Sequence, residues 1–203
     1  MKVKVCGLTD AKQVSVCVKN NADFCGFILN YSKSHRFVNY EKAKILTKIK
    51  KNNTSYVGVL VNPNDEELDK YSKLNIDYFQ IYGKYSPEKI LDIKSKFNKK
   101  VIIALQVKNK KDVSKYKLFE KVADIILWDS SGLEKSLSWN YDWIKSIPEN
   151  IIKMIAGNID LYNLKKISSL ADIVDVSGAL ETNKVKDIDK IKKFLNEVKK
   201  LDD

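Results

Sequence analysis

One pattern constrains this chain more than any other. A short apolar, β-branched run is followed by a polar segment of helical spacing, and the pair recurs from end to end. The runs are VKVC at 3–6, FCGFIL at 24–29, YVGVLV at 56–61, YFQIY at 78–82, VIIALQV at 101–107, ADIILWD at 123–129, IIKMIA at 151–156 and DIVDVS at 172–177. Helical spacing follows near 10–20, 40–51, 65–74, 87–97, 110–117, 140–146, 160–168 and 187–199. Thr9 and Asp10, Asn39, Asn64 and Ser86 stand where N-caps belong, and Pro87 takes the favoured first helical position. The strands read as continuous rather than alternating apolar runs, as a parallel sheet covered on both faces requires.

Eight strand–helix units with a period of about 25 residues fit either a closed (β/α)8 barrel or an open doubly wound sheet. An open nucleotide-binding sheet wants G-x-G-x-x-G after its first strand, and CGLTDA has one glycine. The regular count favours the closed barrel. The expectation is a single-domain (β/α)8 TIM barrel over residues 1–203, with functional groups just after the strands.

Composition narrows the partners. At 203 residues and 44% hydrophobic, the chain supports a sizeable core, and its longest apolar runs fall far short of the roughly 20 residues that span a bilayer. No membrane partner is expected. MKVKVCGL lacks the apolar stretch and cleavage site of a secretory signal, and three cysteines without a C-x-x-C pair argue against disulfides or zinc, so the expected location is cytoplasmic. The net charge of +11 would suit nucleic acid, but the lysines are spread over helix faces and interleaved with acids, so no nucleic-acid partner is expected either. Against 36 lysines there is one arginine, Arg36, beside the single histidine, His35.

The strand ends collect residues that an apolar barrel does not need: Lys4 and Cys6, then Arg36, Gln80 and Tyr82, Asp129, Gly157-Asn158 and Ser177-Gly178. Cys6 is either a small buried apolar residue or, near Lys4, a thiol held partly as thiolate and able to act as base or nucleophile. Asp129 is either a cap or an acid whose pKa is raised by an apolar approach and Trp128. Together they would place a base and an acid on opposite sides of a small substrate. Glycines after strands seven and eight fit a phosphate held by backbone N–H groups. Arg36 is either one more surface cation or a planar fork for carboxylate or phosphate. His35 is not read as a catalyst.

These segments resemble the phosphoribosylanthranilate isomerase family nearly end to end. KVKVCGLTD resembles K-x-C-G-x-T, GFILNYSKSHRFV resembles G-F-x-F…S-x-R-x-V, VGVLVN resembles V-G-V-F-V-N, and FQIYG resembles V-Q-L-H-G. LWDSS, YDW, IAGNI, VDVSGALE and KDIDKIKKF resemble L-L-D-[ST], F-D-W, L-[SA]-G-G-[LI], V-D-V-S-S-G-V-E and K-D-x-x-K-I-x-x-F. The resemblance implies an Amadori rearrangement in tryptophan biosynthesis, with no metal and no organic cofactor. It implies Asp129 as general acid, Cys6 as general base and Arg36 on the anthranilate carboxylate. The phosphate would lie at Gly157, Asn158, Ser177 and Gly178. Lys4 and Gln80 complete the expected substrate-binding set, and the expected partner is a small phosphorylated substrate, the chain being a monomer or homodimer.

Four positions depart from the family pattern. Lys135-Ser136-Leu137-Ser138 stands for a glycine-rich loop, Asn158 for a second glycine, Ser177-Gly178-Ala179 for S-S-G, and Tyr82 for histidine. Two other readings therefore stay in view: a catalytically weak barrel kept for binding or assembly, and the histidine-pathway aminoaldose isomerase. The latter has an aspartate where Cys6 stands and a twofold internal repetition not evident here.

Overall fold

The computed structural model describes residues 1–130 and 137–201. Strands β1 (Lys2–Cys6), β2 (Phe24–Ile28), β3 (Ser55–Val61), β4 (Tyr78–Tyr82), β5 (Lys100–Val107), β6 (Ile125–Ser130), β7 (Lys153–Ile155) and β8 (Ile173–Val176) pair in parallel in chain order. β8 then pairs with β1, Lys4 opposite Asp175, and closes the barrel. The chain is a single-domain (β/α)8 barrel, as the repeat pattern predicts.

Helices α1 (Ala11–Lys19), α2 (Tyr40–Leu46), α3 (Asp65–Ser72) and α4 (Pro87–Phe97) start where the caps predict. Asp10, Asn39, Asn64 and Ser86 each accept a first-turn backbone N–H, satisfying donors that the helix itself leaves unpaired. Thr9 does not cap; its N–H donates to Gln13 Oε1 instead.

The second half is less helical than its spacing suggests. The segment near 110–117 is one α-turn, α5 (Lys110–Val113), running into a 3₁₀ turn, and 140–146 is a 3₁₀ turn, Tyr141–Ser146. Pro148 forces Ile147 into extended backbone and leaves too few residues after the Asn140 cap for an α-helix. In 160–168 only α6 (Leu164–Ser168) is helical, because Asp160 and Asn163 bond each other's backbone N–H groups in the approach. Between β8 and α7 (Ile188–Lys199) lies a hairpin that the apolar pattern does not show, β9 (Glu181–Thr182) and β10 (Val185–Lys186). Asn183 and Lys184 both have positive φ, as a tight two-residue hairpin turn requires.

Side chains alternate across each strand. Val3, Val5, Phe27, Leu60, Ile103 and Trp128 pack outward beneath the helices, with Cys17 and Cys25 buried among them. Phe24, Val57, Ile102, Leu127, Met154 and Ile173 fill the barrel interior. The same period of two turns Lys4 and Cys6, Gln80 and Tyr82, Asp129, and Asp175 inward. Among the described residues no helix is long and apolar enough to cross a membrane.

Candidate active site

A pocket opens at the C-terminal ends of the strands, and its lining includes Cys6, Arg36, Gln80, Tyr82, Asp129, Gly157, Asn158, Asp175, Ser177 and Gly178. Eight of the nine residues expected to form the site thus share one pocket. Lys4 is the exception. It lies one inward position below Cys6 on β1, fully buried, and its Nζ donates to Asp175 Oδ2 at 2.7 Å. Lys4 therefore lies beneath the pocket floor and does not line it.

Lys4, Cys6 and Asp175 form one cluster where β8 meets β1. A Cβ at Gly26 would stand 2.9 Å from Cys6 Sγ and 3.1 Å from Lys4 Nζ, so glycine on β2 leaves the room both groups occupy. Burial works against the Lys4 charge, but Asp175 and Cys6 outweigh it and raise its pKa, so Lys4 stays a cation. Burial likewise dominates at Cys6 and pushes the thiol above its usual value, against the opposing pull of Lys4 and Lys186. The expectation that Lys4 holds Cys6 partly as thiolate is corrected here: in the free site desolvation outweighs the nearby cation. Asp175 is also raised by burial, with Lys4 opposing, and its Oδ1 is a buried acceptor without a partner among the described residues.

Across the barrel, Asp129 stands near the end of β6. Its Oδ1 accepts the Ser130 N–H at 2.7 Å and its Oδ2 accepts the Tyr82 hydroxyl at 2.7 Å. Burial raises its pKa to about 6, with Asp175 adding to the rise and Tyr82, Ser130 and Lys4 pulling down. The raised pKa agrees with a proton donor, but Trp128 is not its cause. Trp128 faces the opposite side of β6, where its indole N–H donates to Val113 O. Gln80 on β4 donates to the Tyr82 oxygen at 3.2 Å, and its own Oε1 is buried without a partner among the described residues. Unpaired acceptors on Gln80 and Asp175, both lining the pocket, suit donors from a polyhydroxylated ligand.

Arg36 reaches the pocket from the loop after β2, passing over Gly7. Gly7 has φ +77°, and a Cβ there would meet Arg36 Cδ at 2.5 Å. The arginine fork, expected free for a ligand, is half engaged. Nε and Nη2 donate to Glu181 Oε1 and Oε2 at 2.6 and 3.0 Å. Lys186 also pairs with Glu181 and lies 3.3 Å from Ser177 Oγ, while His35 Nε2 stands 3.2 Å from Glu181 Oε2 at the exposed rim. Burial opposes the Glu181 charge, but Arg36 and Lys186 outweigh it and hold its pKa at about 2.

The loops after β7 and β8 complete the rim. Asn158 has φ +49°, the left-handed backbone expected where a second glycine is replaced, and asparagine tolerates it better than most residues. Its carbonyl accepts from Asn163 and its side chain donates to Ser138 Oγ. Tyr141 of the YDW segment donates to Gly157 O and fixes this loop from behind. Ser177 Oγ donates to Cys6 O at 3.0 Å, and a 3₁₀ turn begins at Gly178. Lys135 and Ser136, as well as Ser131 and Gly132, lie outside the described residues.

Asp175, Glu181 and Lys186 are not among the residues singled out in the sequence, and Tyr82 stands among the strand-end residues there without a role. Asp175 carried a signal: an acid inside the apolar run of β8, two residues before Ser177, must share its inward face. Glu181 and Lys186 come together only through the hairpin. Among the described residues, no group of three or more His, Cys, Asp or Glu is placed to hold a metal ion.

Comparison with known proteins points to one family. Residues 3–197 match the family described as N-(5'-phosphoribosyl)anthranilate (PRA) isomerase. The chain is 36% identical to the N-(5'-phosphoribosyl)anthranilate isomerase of Streptococcus mutans, over 98% of this chain and 99% of the relative. It is similar to the crystal structure of phosphoribosyl anthranilate isomerase from Thermotoga maritima, with TM-score 0.88, 27% identity and coverage of 98% and 99%. A second similar structure, at TM-score 0.85 and 26% identity over the same shares, is a phosphoribosyl anthranilate isomerase in complex with reduced 1-(o-carboxyphenylamino)-1-deoxyribulose 5-phosphate.

Proposed function

The chain belongs to the N-(5'-phosphoribosyl)anthranilate isomerase family, and from that premise we propose that Asp129 and Cys6 are the acid and base of its Amadori rearrangement. As a member it is an isomerase of tryptophan biosynthesis. Its substrate is N-(5-phosphoribosyl)anthranilate and its product 1-(2-carboxyphenylamino)-1-deoxyribulose 5-phosphate. The observation that carries the assignment is that Cys6 on β1 and Asp129 on β6 enter one pocket from different strands, between Arg36 and the loops after β7 and β8.

Asp129 gives its proton to the ribose ring oxygen, the C1–O bond breaks, and the opened sugar is an iminium. The Cys6 thiolate then takes the proton from C2, and the electron pair moves to the iminium nitrogen. The resulting enolamine takes a proton at C1 and loses the hydroxyl proton at C2, giving the ketone. The reaction is an isomerisation, so no atom is gained or lost. The productive form needs a neutral Asp129 beside an ionised Cys6. A carboxyl with its pKa near 6 supplies the first, and the Lys4 ammonium beneath the sulfur favours the second as the thiol ionises.

The substrate is held at its two anionic ends. Backbone groups of Gly157, Asn158, Ser177 and Gly178 receive the phosphate, and the guanidinium edge of Arg36 not engaged by Glu181 meets the anthranilate carboxylate. Gln80 Oε1 accepts from a sugar hydroxyl. Loss of fluorescence from freshly prepared phosphoribosylanthranilate tests the assignment. Wild type should consume it, and Cys6→Ala and Asp129→Asn should each fail at matched concentration. Full turnover by either variant removes that residue from the mechanism.

A further inference from the structure

The hydroxyl of Tyr82 has a fixed direction. Tyr82 is the last residue of β4, 8% exposed, and faces inward beside Asp129. Gln80, two residues earlier on the same face, donates Nε2–H to the Tyr82 oxygen at 3.2 Å. An amide N–H cannot accept, so the single hydroxyl hydrogen of Tyr82 is left to point at Asp129 Oδ2, 2.7 Å away. The other carboxyl oxygen is held by Ser130, through its N–H at 2.7 Å and more distantly by its hydroxyl. Both oxygens of Asp129 are therefore fixed, one by its own strand and one by β4.

We propose that Tyr82 is the positioning residue of Asp129: oriented by Gln80, its hydroxyl holds the carboxyl in place and stabilises the carboxylate left after proton donation. The proposal rests on the reading of Asp129 as the acid, and it assigns a role to the position where the family pattern has histidine. A tyrosine suits it. Burial and the neighbouring Asp129 and Asp175 push its own ionisation well up, so it remains a neutral donor throughout the working range. Among the described residues, besides Tyr141 of the 3₁₀ turn after β6, the other charged or titratable groups near the Asp129 carboxyl are Lys4 and Cys6 from β1 and Asp175 from β8. Lys4 attracts the carboxylate and Asp175 repels it. None of these three hydrogen-bonds to it among the described residues, so Tyr82 provides the contact that a single substitution removes.

The test is a carboxyl titration followed by carbon-13 NMR of aspartate-labelled protein, with Asp129→Asn used to assign the resonance. Tyr82→Phe keeps the ring and removes the donor. Its Asp129 midpoint should move upward by about one pH unit or more, the size expected for a lost hydrogen bond to a charged group. The acidic limb of kcat/KM, which follows the more acidic of the two catalytic groups, should move upward with it, and kcat should fall about tenfold with KM little changed. Gln80→Met leaves the hydroxyl but frees its direction, and should give a smaller shift of the same sign. An unmoved midpoint in Tyr82→Phe overturns the proposal; if that protein does not fold, an unmoved midpoint in Gln80→Met does so. Full turnover by Asp129→Asn would instead remove Asp129 as the acid, while the titration would still decide whether Tyr82 holds its carboxyl.

Discussion

Arg36 and Glu181 meet through two parallel hydrogen bonds although 145 residues of chain separate them. The pair joins the loop after β2 to the hairpin after β8, and Lys186 on the far strand of that hairpin closes on the same carboxylate. An arginine clamped along one edge has a fixed plane, so its remaining edge is presented to a ligand without the entropy cost of ordering a long side chain.

Removing the clamp should therefore act on binding. Glu181→Gln should raise KM for the natural substrate by about tenfold and change kcat less, because the guanidinium loses its charged partner but is still present. A substrate analogue made from aniline, lacking the carboxylate, supplies the control. Wild type and Glu181→Gln should bind it almost equally. Equal losses on both compounds would mean that Glu181 supports the fold and does not orient Arg36.

The same carboxylate sets an acid limit. Its pKa is about 2 in the folded protein, below the ordinary glutamate value, so the stability it contributes is present above about pH 4.5 and lost as pH falls from there toward 2. Wild type should lose thermal stability over that interval more steeply than Glu181→Gln. Parallel curves would show that the ion pair contributes nothing net.

Asp129 carries the opposite sign. Its folded pKa is raised to about 6, so the fold favours the neutral form and loses stability as pH rises through about 4 to 6. Asp129→Asn should lower turnover by roughly 10²–10⁴-fold, as should Cys6→Ala, yet it should melt higher than wild type at pH 8, by about a few degrees, and match it near pH 4. A variant that is inactive and also less stable at pH 8 would contradict this account of the carboxyl's environment.

At the phosphate end, inorganic phosphate or sulfate should inhibit competitively. Asn158→Gly keeps the left-handed backbone and should preserve that inhibition, whereas Asn158→Val must adopt a conformation costing about 1–2 kcal/mol and should weaken substrate and inhibitor together. Inhibition by anion that is equal in the two variants would place the phosphate elsewhere.

The barrel was readable because its signal is local and repeated: apolar runs at strand length, and caps such as Asn64 and Ser86 written into the chain beside the helices they start. That Cys6 and Asp129 enter the pocket is readable from their position after apolar strands. The depth of Lys4 is not legible, because position along a strand does not tell depth along a barrel; one inward step separates a pocket wall from its foundation. Trp128 does not shape the surroundings of Asp129, because adjacent residues on a strand face opposite sides. The engagement of Arg36 by Glu181 was hidden, since it depends on a hairpin only two residues wide in each strand.

The contact between Lys4 and Asp175 has a consequence for when the enzyme becomes competent. It joins the first strand to the last, across 171 residues, and the ammonium beneath the Cys6 sulfur is itself held by the final strand. A nascent chain that has completed seven strands already contains Asp129, Cys6 and Arg36, but lacks the Asp175 that holds the Lys4 ammonium beneath the thiol. Activity should consequently appear in one late step of refolding, together with closure of the seam, and not in proportion to the helix and sheet already formed.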